Sequence, residues 1–222
     1  MKTIYHGSDH IIKKPIFNFD GADENTDYGK AIYCTFDKEA GKEWACKKSK
    51  RGVLNEYEFN NKDLKVLDLT KPPFTVLNWI AILVEHRKID PHYYSTFKDR
   101  FDYLKQFNVD LTKYDYFIGY RADDAYFKFP LMFIEGHLTI EKMEEIYKLG
   151  DLGIQIVPYS EKAFEKIKFA KSEDVDEEYH YKYKRRVEEA NDRFSNFLAE
   201  QDYKNGHPII DLMRQNDTNK WY

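Results

Sequence analysis

The chain has 222 residues, and its 35 basic and 39 acidic side chains give a net charge of −4 at pH 7. A chain of this length can bury a full hydrophobic core, so we expect one domain with an appendage. The near balance of charge disfavours a protein that coats bulk nucleic acid, although a local basic patch stays open. Cys34 and Cys46 lack the spacing of metal ligands and are typical of a reduced compartment.

The hydrophobic pattern predicts neither a secretion signal nor a membrane span. Lys2 is followed by only two apolar residues before His6, which is too few for a signal peptide. No apolar run approaches the roughly 20 residues that cross a bilayer. We therefore expect a cytoplasmic protein of bacterial or phage type that has no membrane partner.

In the first half of the chain, short apolar runs alternate with longer stretches of helical periodicity. The Asn60-Asn61 turn predicts that the strands on either side of it form a hairpin. Pro72-Pro73 separates this hairpin from a helical region. The predicted strands are Thr3–Tyr5, Ala31–Phe36, Val53–Phe59 and Leu64–Leu69, and the predicted helices are Asp37–Lys50, Val76–Arg87 and Tyr94–Gln106.

The second half is mostly helical, and its composition becomes strongly charged from Ser172 onward. The predicted strands are Tyr116–Gly119 and Gly153–Pro158, and the predicted helices are Ala125–Glu135, Thr139–Leu149, Ser160–Lys168 and Val175–Gln201. The last helix carries an apolar stripe at Tyr183, Val187, Ala190, Phe194 and Phe197, which either packs on its own core or meets a partner helix. Irregular alternation of strands and helices favours an α+β fold. We predict a domain over residues 1–171 and a helical extension over residues 172–222.

The stretch Thr26–Ala45 combines features that suggest a nucleotide pocket. Tyr33 lies in a predicted strand and Trp44 in the helix that follows it, so two aromatic rings could hold a flat heterocycle between them. Upstream, the predicted strand ends in a polar corner formed by His6, Gly7 and Ser8. The alternative is that these aromatic residues belong to the core.

Four segments, YHGS, DYGKAIYCTFDKEAGKEWA, IGYRADD and QIVPYSEKAFEKIKF, occur in this order over residues 3–170. In them the chain resembles an uncharacterised bacterial domain family that is itself similar to the ADP-ribosyltransferase fold. The wider relatives are transferases of the diphtheria-toxin and poly(ADP-ribose) polymerase type, which carry His, Tyr and Glu on three strands. The resemblance implies a split, mostly antiparallel sheet with flanking helices.

The resemblance also implies a role for each matching residue, with NAD as the substrate. His6 would bind the adenosine ribose, and the backbone of Gly7, beside Ser8, would hold the nicotinamide amide. Tyr33 would face the nicotinamide ring, and Trp44 stands where the relatives place a second stacking tyrosine. Gln155 takes the place of the glutamate that contacts the nicotinamide ribose.

That glutamine is a departure from the relatives, because it can form a hydrogen bond but supplies no negative charge to an oxocarbenium-like transition state. Asp123 and Asp124 follow a predicted buried strand, and one of them could serve as a general base; the alternative is a cap for the next helix. Arg121 either binds a phosphate of NAD or pairs with these aspartates. Gly41 also departs, since polymerases have a hydroxyl residue there.

By this resemblance we expect an NAD-dependent mono-ADP-ribosyltransferase, with NAD consumed as a substrate and no metal. If the protein is a toxin or effector, we expect a small antitoxin protein as its partner. The acceptor, a protein or a nucleic acid, stays open. Two alternatives are a degenerate module that binds NAD or ADP-ribose without turnover, and an interaction protein in which the aromatic clusters are core.

Overall fold

The computed structural model describes residues 1–47, 51–122, 126–148, 153–200 and 203–215. Its strands are β1 (Lys2–Ser8), β2 (Cys34–Thr35), β3 (Gly52–Phe59), β4 (Val66–Asp68), β5 (Tyr116–Tyr120), β6 (Ile154–Pro158) and β7 (Ile167–Val175). They form one sheet in the order β4-β5-β6-β2-β1-β3-β7. Only the β4–β5 pair in this sheet is parallel. The predicted α+β class is confirmed, as a mixed sheet with helices.

The helices are α1 (Lys38–Ala45), α2 (Val76–His86), α3 (Pro91–Thr96), α4 (Lys98–Leu104), α5 (Lys128–Glu135), α6 (Ile140–Lys148), α7 (Glu161–Glu165), α8 (Glu178–Ala199) and α9 (Ile209–Gln215). The residues at which two of the predicted helices begin, Asp37 and Ser160, are the N-caps of α1 and α7. Asp37 accepts from Glu39 N at 2.8 Å, and Ser160 accepts from Ala163 N at 3.1 Å, so each satisfies an amide that the first turn leaves unpaired. Within the residues that the structure describes, no helix is both long enough and apolar enough to cross a membrane.

The predicted hairpin between the third and fourth strands is wrong. β3 pairs with β1 and β7, whereas β4 lies at the far end of the sheet, parallel to β5. Two contacts between Asp115 and Lys65 fix that parallel pair: the Asp115 carboxylate accepts from Lys65 N at 2.7 Å, and Asp115 N donates to Lys65 O at 2.8 Å. These long-range contacts outweigh the local turn signal.

A strand that was not predicted, β7, forms the edge of the sheet. It occupies Ile167–Val175 and pairs with β3 along its length, so the sheet continues past the predicted boundary between residues 171 and 172. Most of its residues are partly or fully exposed, and charged side chains are typical of edge strands, where they discourage pairing with another chain. The same charges make the segment look like part of the polar helix that follows. That helix, α8, therefore begins at Glu178 rather than at Val175.

Two other predicted elements are shorter than expected. The helix near Tyr94–Gln106 is two helices, α3 and α4, which meet at Phe97, whose backbone is not helical. Helix α1 ends at Ala45, and residues 48–50 lie outside the described part of the chain. The apolar stripe predicted on α8 cannot be followed beyond Val187, because the side chains of Ala190, Phe194 and Phe197 lie outside the described residues.

The strand predicted at Ala31–Phe36 is reduced to the two residues of β2. Thr35 is the link between the two parts of the sheet, because it pairs with Tyr5 of β1 on one side and with Gln155 of β6 on the other. The larger apolar core lies beside β4 and β5 under α2, α4 and α6. A sheet joined through so short a strand leaves room between β1 and β6 for a cleft.

Candidate functional site

A cleft of about 200 Å³ lies where β2 joins the two parts of the sheet. It brings together residues from β1, the turn before β2, α1, the end of α2, the end of β5 and β6. Its lining residues are His6, Gly7, Thr26, Asp27, Tyr33, Trp44, Lys47, Arg87, Arg121, Ala122 and Gln155. Six of the residues predicted from the sequence are in this set.

His6 is held in one orientation at the side of the cleft. Its Nδ1 lies 2.7 Å from the carbonyl oxygen of Tyr33, and because a carbonyl oxygen only accepts, Nδ1 carries the proton. Burial lowers the pKa of His6 below its ordinary value of 6.5 and outweighs the hydrogen bond to Tyr33, which acts in the opposite direction. The imidazole is therefore neutral at pH 7, and Nε2 presents a lone pair that can accept a hydrogen bond from a ligand hydroxyl.

Tyr33 ties the chain before β2 into a fixed loop. Its hydroxyl donates to Gly29 O at 2.8 Å and accepts from Tyr28 N at 2.9 Å. Gly29 has a φ of +75°, which an L side chain rarely adopts, so this tight turn depends on glycine. Burial raises the pKa of Tyr33 well above its ordinary value. The phenol is thus a neutral structural clamp, and its ring forms part of the wall of the cleft.

Asp27, in the turn that Tyr33 fixes, is a site residue that the sequence analysis missed. It is 4% exposed. Its Oδ1 accepts from Arg87 Nε at 3.1 Å and Nη2 at 2.8 Å, and its Oδ2 accepts from Ala122 N and Gln155 Nε2, both at 2.9 Å. Burial raises the pKa of Asp27, against the opposing effect of the Arg87 guanidinium. The network explains why this carboxylate is tolerated in the interior.

Gln155, which is 2% exposed, is oriented by that network. Its Nε2 donates to Asp27 Oδ2 at 2.9 Å and to Tyr120 O at 3.0 Å. Both partners are acceptors, so the amide nitrogen must lie on their side, and Oε1 is the atom left for a ligand. The Tyr28 hydroxyl lies beside this amide, yet it meets no described partner at hydrogen-bond distance. Gln155 therefore offers the cleft an acceptor oxygen, as a glutamate would, but without a full charge.

Trp44 and Arg121 contact each other in the lining of the cleft. The guanidinium carbon of Arg121 lies 4.2 Å from the centroid of the Trp44 ring, a cation–π contact. The indole Nε1 is buried and has no hydrogen-bond partner among the described residues. A flat ligand would therefore stack on Trp44 only if it used the other ring face or displaced Arg121. Asp123 and Asp124, the predicted candidates for a general base, lie outside the described residues.

Of the two predicted residues that follow His6, Gly7 lines the cleft and Ser8 does not. A Cβ on Gly7 would lie 2.3 Å from Ala45 N and 2.4 Å from Gly41 O, so Gly7 allows α1 to pack directly on β1. Ser8 does not line the cleft: its hydroxyl donates to His10 O at 2.5 Å and accepts from Asn55 Nδ2 at 2.9 Å. Ser8 instead lines an adjoining cavity of about 650 Å³, of which His6 is also a lining residue. His6 therefore stands between the two cavities.

In the described residues no group of three or more His, Cys, Asp or Glu side chains could hold a metal ion. No curated protein and no solved structure matches the chain. A family model matches residues 2–169, which cover β1 to β6, α1 to α7 and the first three residues of β7. The chain belongs to the family described as "Protein of unknown function (DUF3990)".

Proposed function

We propose that this chain binds NAD in the cleft between β1 and β6 and transfers its ADP-ribosyl group to an acceptor as a mono-ADP-ribosyltransferase with an ADP-ribosyltransferase-like fold. The observation that carries the proposal is the convergence of His6, Tyr33 and Gln155 on one cleft. They come from three separate segments at the junction of the sheet, and the resemblance implies a role in NAD binding for each of them. Trp44 and Arg121 complete the wall.

The proposed reaction breaks the bond between the nicotinamide nitrogen and the ribose carbon, and the electron pair leaves with nicotinamide. A nucleophile of the acceptor then bonds to that carbon and loses its proton. Oε1 of Gln155 would accept a hydrogen bond from a ribose hydroxyl, and the Asp27 carboxylate behind the amide would polarise this oxygen. Positioning would supply much of the acceleration, because the amide of Gln155 supplies no full charge to the ribose.

The volumes of the two cavities suit a dinucleotide that spans both. About 200 Å³ is small for a whole cofactor, since ligand sites measure roughly 300–1,000 Å³. The adjoining cavity of about 650 Å³ would take the other half. His6, which lines both, is placed to accept a hydrogen bond from a ribose at the junction.

A second candidate function is NAD or ADP-ribose binding without turnover. The specific observation in its favour is that both protons of the Gln155 amide are already used and that Arg87 offsets the charge of Asp27. Such a site would bind a ribose yet stabilise a developing cation poorly. For the third alternative, an interaction protein, we find no specific supporting contact among the described residues.

The test is release of nicotinamide from NAD by the purified protein, beside calorimetric titration with NAD. We expect Gln155→Ala and His6→Ala each to lower release about 100-fold. Gln106→Ala and His92→Ala, at exposed positions outside the cleft, serve as matched controls. Binding without release would favour the non-catalytic module. If the folded protein neither binds NAD nor releases nicotinamide, both the transferase and the non-catalytic binding module are contradicted.

The proposal extends to a role as a toxin or effector and to an antitoxin partner. The protein would act in the cytoplasm as a toxin or effector, and a small antitoxin would hold it inactive. Co-purification of a small protein encoded beside it, together with loss of nicotinamide release in the complex, is the result we expect. Release that is unchanged in the presence of such a neighbour would contradict the antitoxin role.

A further inference from the structure

A separate cavity of about 390 Å³, which we call the basic cleft, lies between α1, Tyr126 and α8. Helix α8 contributes four cationic side chains to it: Lys182, Arg185, Arg186 and Arg193. Two carboxylates, Glu43 and Glu189, also line it. The chain as a whole carries a net charge of −4. The basic cleft is therefore a local concentration of positive charge on an otherwise acidic protein.

The helix geometry sets these cations side by side. Lys182, Arg186 and Arg193 are four and seven residues apart, which places them on one face of α8. Arg186 Nε donates to Glu43 Oε2 at 2.6 Å and so fastens this face to α1. Lys182 lies 4.1 Å from the centroid of the Tyr179 ring. Much of the ordering of these long side chains is already present before a ligand arrives.

We propose that the basic cleft binds phosphate groups of a single-stranded nucleic acid, and that this strand is the acceptor of the ADP-ribosyl group. Three guanidinium groups in one cleft match phosphate oxygens, which they can contact through paired N–H donors. Glu43 and Glu189 disfavour a lone small anion. A strand distributes several phosphates along the cleft and gains from the release of its counterions.

The position of the basic cleft links it to the candidate site. Adjacent residues of α1 line the two cavities, Glu43 the basic cleft and Trp44 the site. Between β5 and α5, Ala122 borders the site and Tyr126 the basic cleft. A strand held in the basic cleft could therefore present a neighbouring nucleotide to the site. The acceptor role rests on the proposed function, whereas binding of the strand does not.

The test measures fluorescence anisotropy of a labelled 12-nucleotide single strand, prepared as RNA and as DNA, at several salt concentrations. We expect the logarithm of the binding constant to fall with the logarithm of salt concentration with a slope of about −2, for about three phosphates contacted. Arg185→Glu and Arg193→Glu should each weaken binding roughly 10-fold. Lys184→Glu is the matched control, because it makes the same charge change at an exposed position of α8 that does not line the basic cleft.

The outcomes separate this inference from the proposed function. Gln155→Ala should keep strand binding, and Arg185→Glu should keep nicotinamide release from NAD. An equal loss in Lys184→Glu would show a diffuse charge effect and would overturn the site. Calorimetric binding of millimolar inorganic phosphate, together with no binding of the strand, would mark a small-anion pocket and would overturn it too. Strand binding without ADP-ribose incorporated into the strand would remove the acceptor role alone.

Discussion

Gln155 Nε2 donates a hydrogen bond of 2.9 Å to Asp27 Oδ2, across 128 residues of sequence. This contact joins the turn before β2 to the strand β6, on the two sides of the candidate site. It determines which end of the amide points toward a ligand, because Asp27 and Tyr120 O can only accept. The orientation of the Gln155 amide in the cleft therefore depends on its contact with Asp27, which the sequence of neither segment predicts by itself.

The buried carboxylate is expected to be critical for stability. Asp27→Ala removes the carboxylate that pairs with the buried Arg87 guanidinium, and breaking a buried pair costs about 3–5 kcal/mol. Urea denaturation measures the change. Asp20→Ala, at an exposed position, is the matched control and should change the free energy of unfolding by less than about 0.5 kcal/mol. A loss below about 1 kcal/mol in Asp27→Ala would show that water reaches the Arg87 side chain.

Gln155→Glu is expected to destabilise the protein in a pH-dependent way. The new carboxylate would face the Asp27 carboxylate and the Tyr120 carbonyl, so an acceptor would replace a donor, at a cost of about 2–3 kcal/mol at pH 7.5. Two adjacent carboxyls share a proton, and the raised pKa means that this cost shrinks as the pH falls toward 5. Urea denaturation at both pH values measures it, with Gln106→Glu as the exposed control. A cost that is independent of pH would argue against the direct contact.

His6 is expected to make stability depend on pH. Its folded pKa is lowered, so the unfolded chain takes up the proton first as the pH falls below 6.5. The contribution is therefore fully present above 6.5 and is lost as the pH falls through the folded value. His6→Asn should flatten this part of the profile of unfolding free energy between pH 7.5 and 5. His92→Asn, exposed at the start of α3, should leave it unchanged. Parallel profiles for both variants would contradict the assignment to His6.

Gly7→Ala is expected to separate α1 from β1. The added methyl would lie 2.3 Å from Ala45 N, a backbone atom that cannot move aside without shifting the helix. The expected cost is about 1–3 kcal/mol, measured by thermal unfolding. The proposed NAD affinity should fall as well, because Trp44 lies on α1. Gly21→Ala is the control, since its nearest neighbour is the Phe19 side chain. Unchanged stability in Gly7→Ala would mean that α1 packs less closely.

The sequence by itself determined the local elements. Short-range signals decided them: Asp37 and Ser160 as caps, the apolar face of α2, and the strands β1, β5 and β6. The same signals, with the resemblance, selected His6, Tyr33, Trp44 and Gln155, which the fold brings to one cleft. Periodicity and capping act within a few residues, so one sequence suffices to detect them.

Only the tertiary structure decided which elements pair and which polar groups meet. The partner of β4 is β5 rather than β3, because contacts from Asp115 override the Asn60-Asn61 turn signal. Nothing local distinguishes Asp27 from an ordinary turn residue; it becomes a site residue because Arg87 and Gln155, 60 and 128 residues away, donate to it. Burial and long-range hydrogen bonds are properties of the packed chain, which is why the sequence selected several lining residues of the cleft but not the buried Asp27 that contacts Gln155.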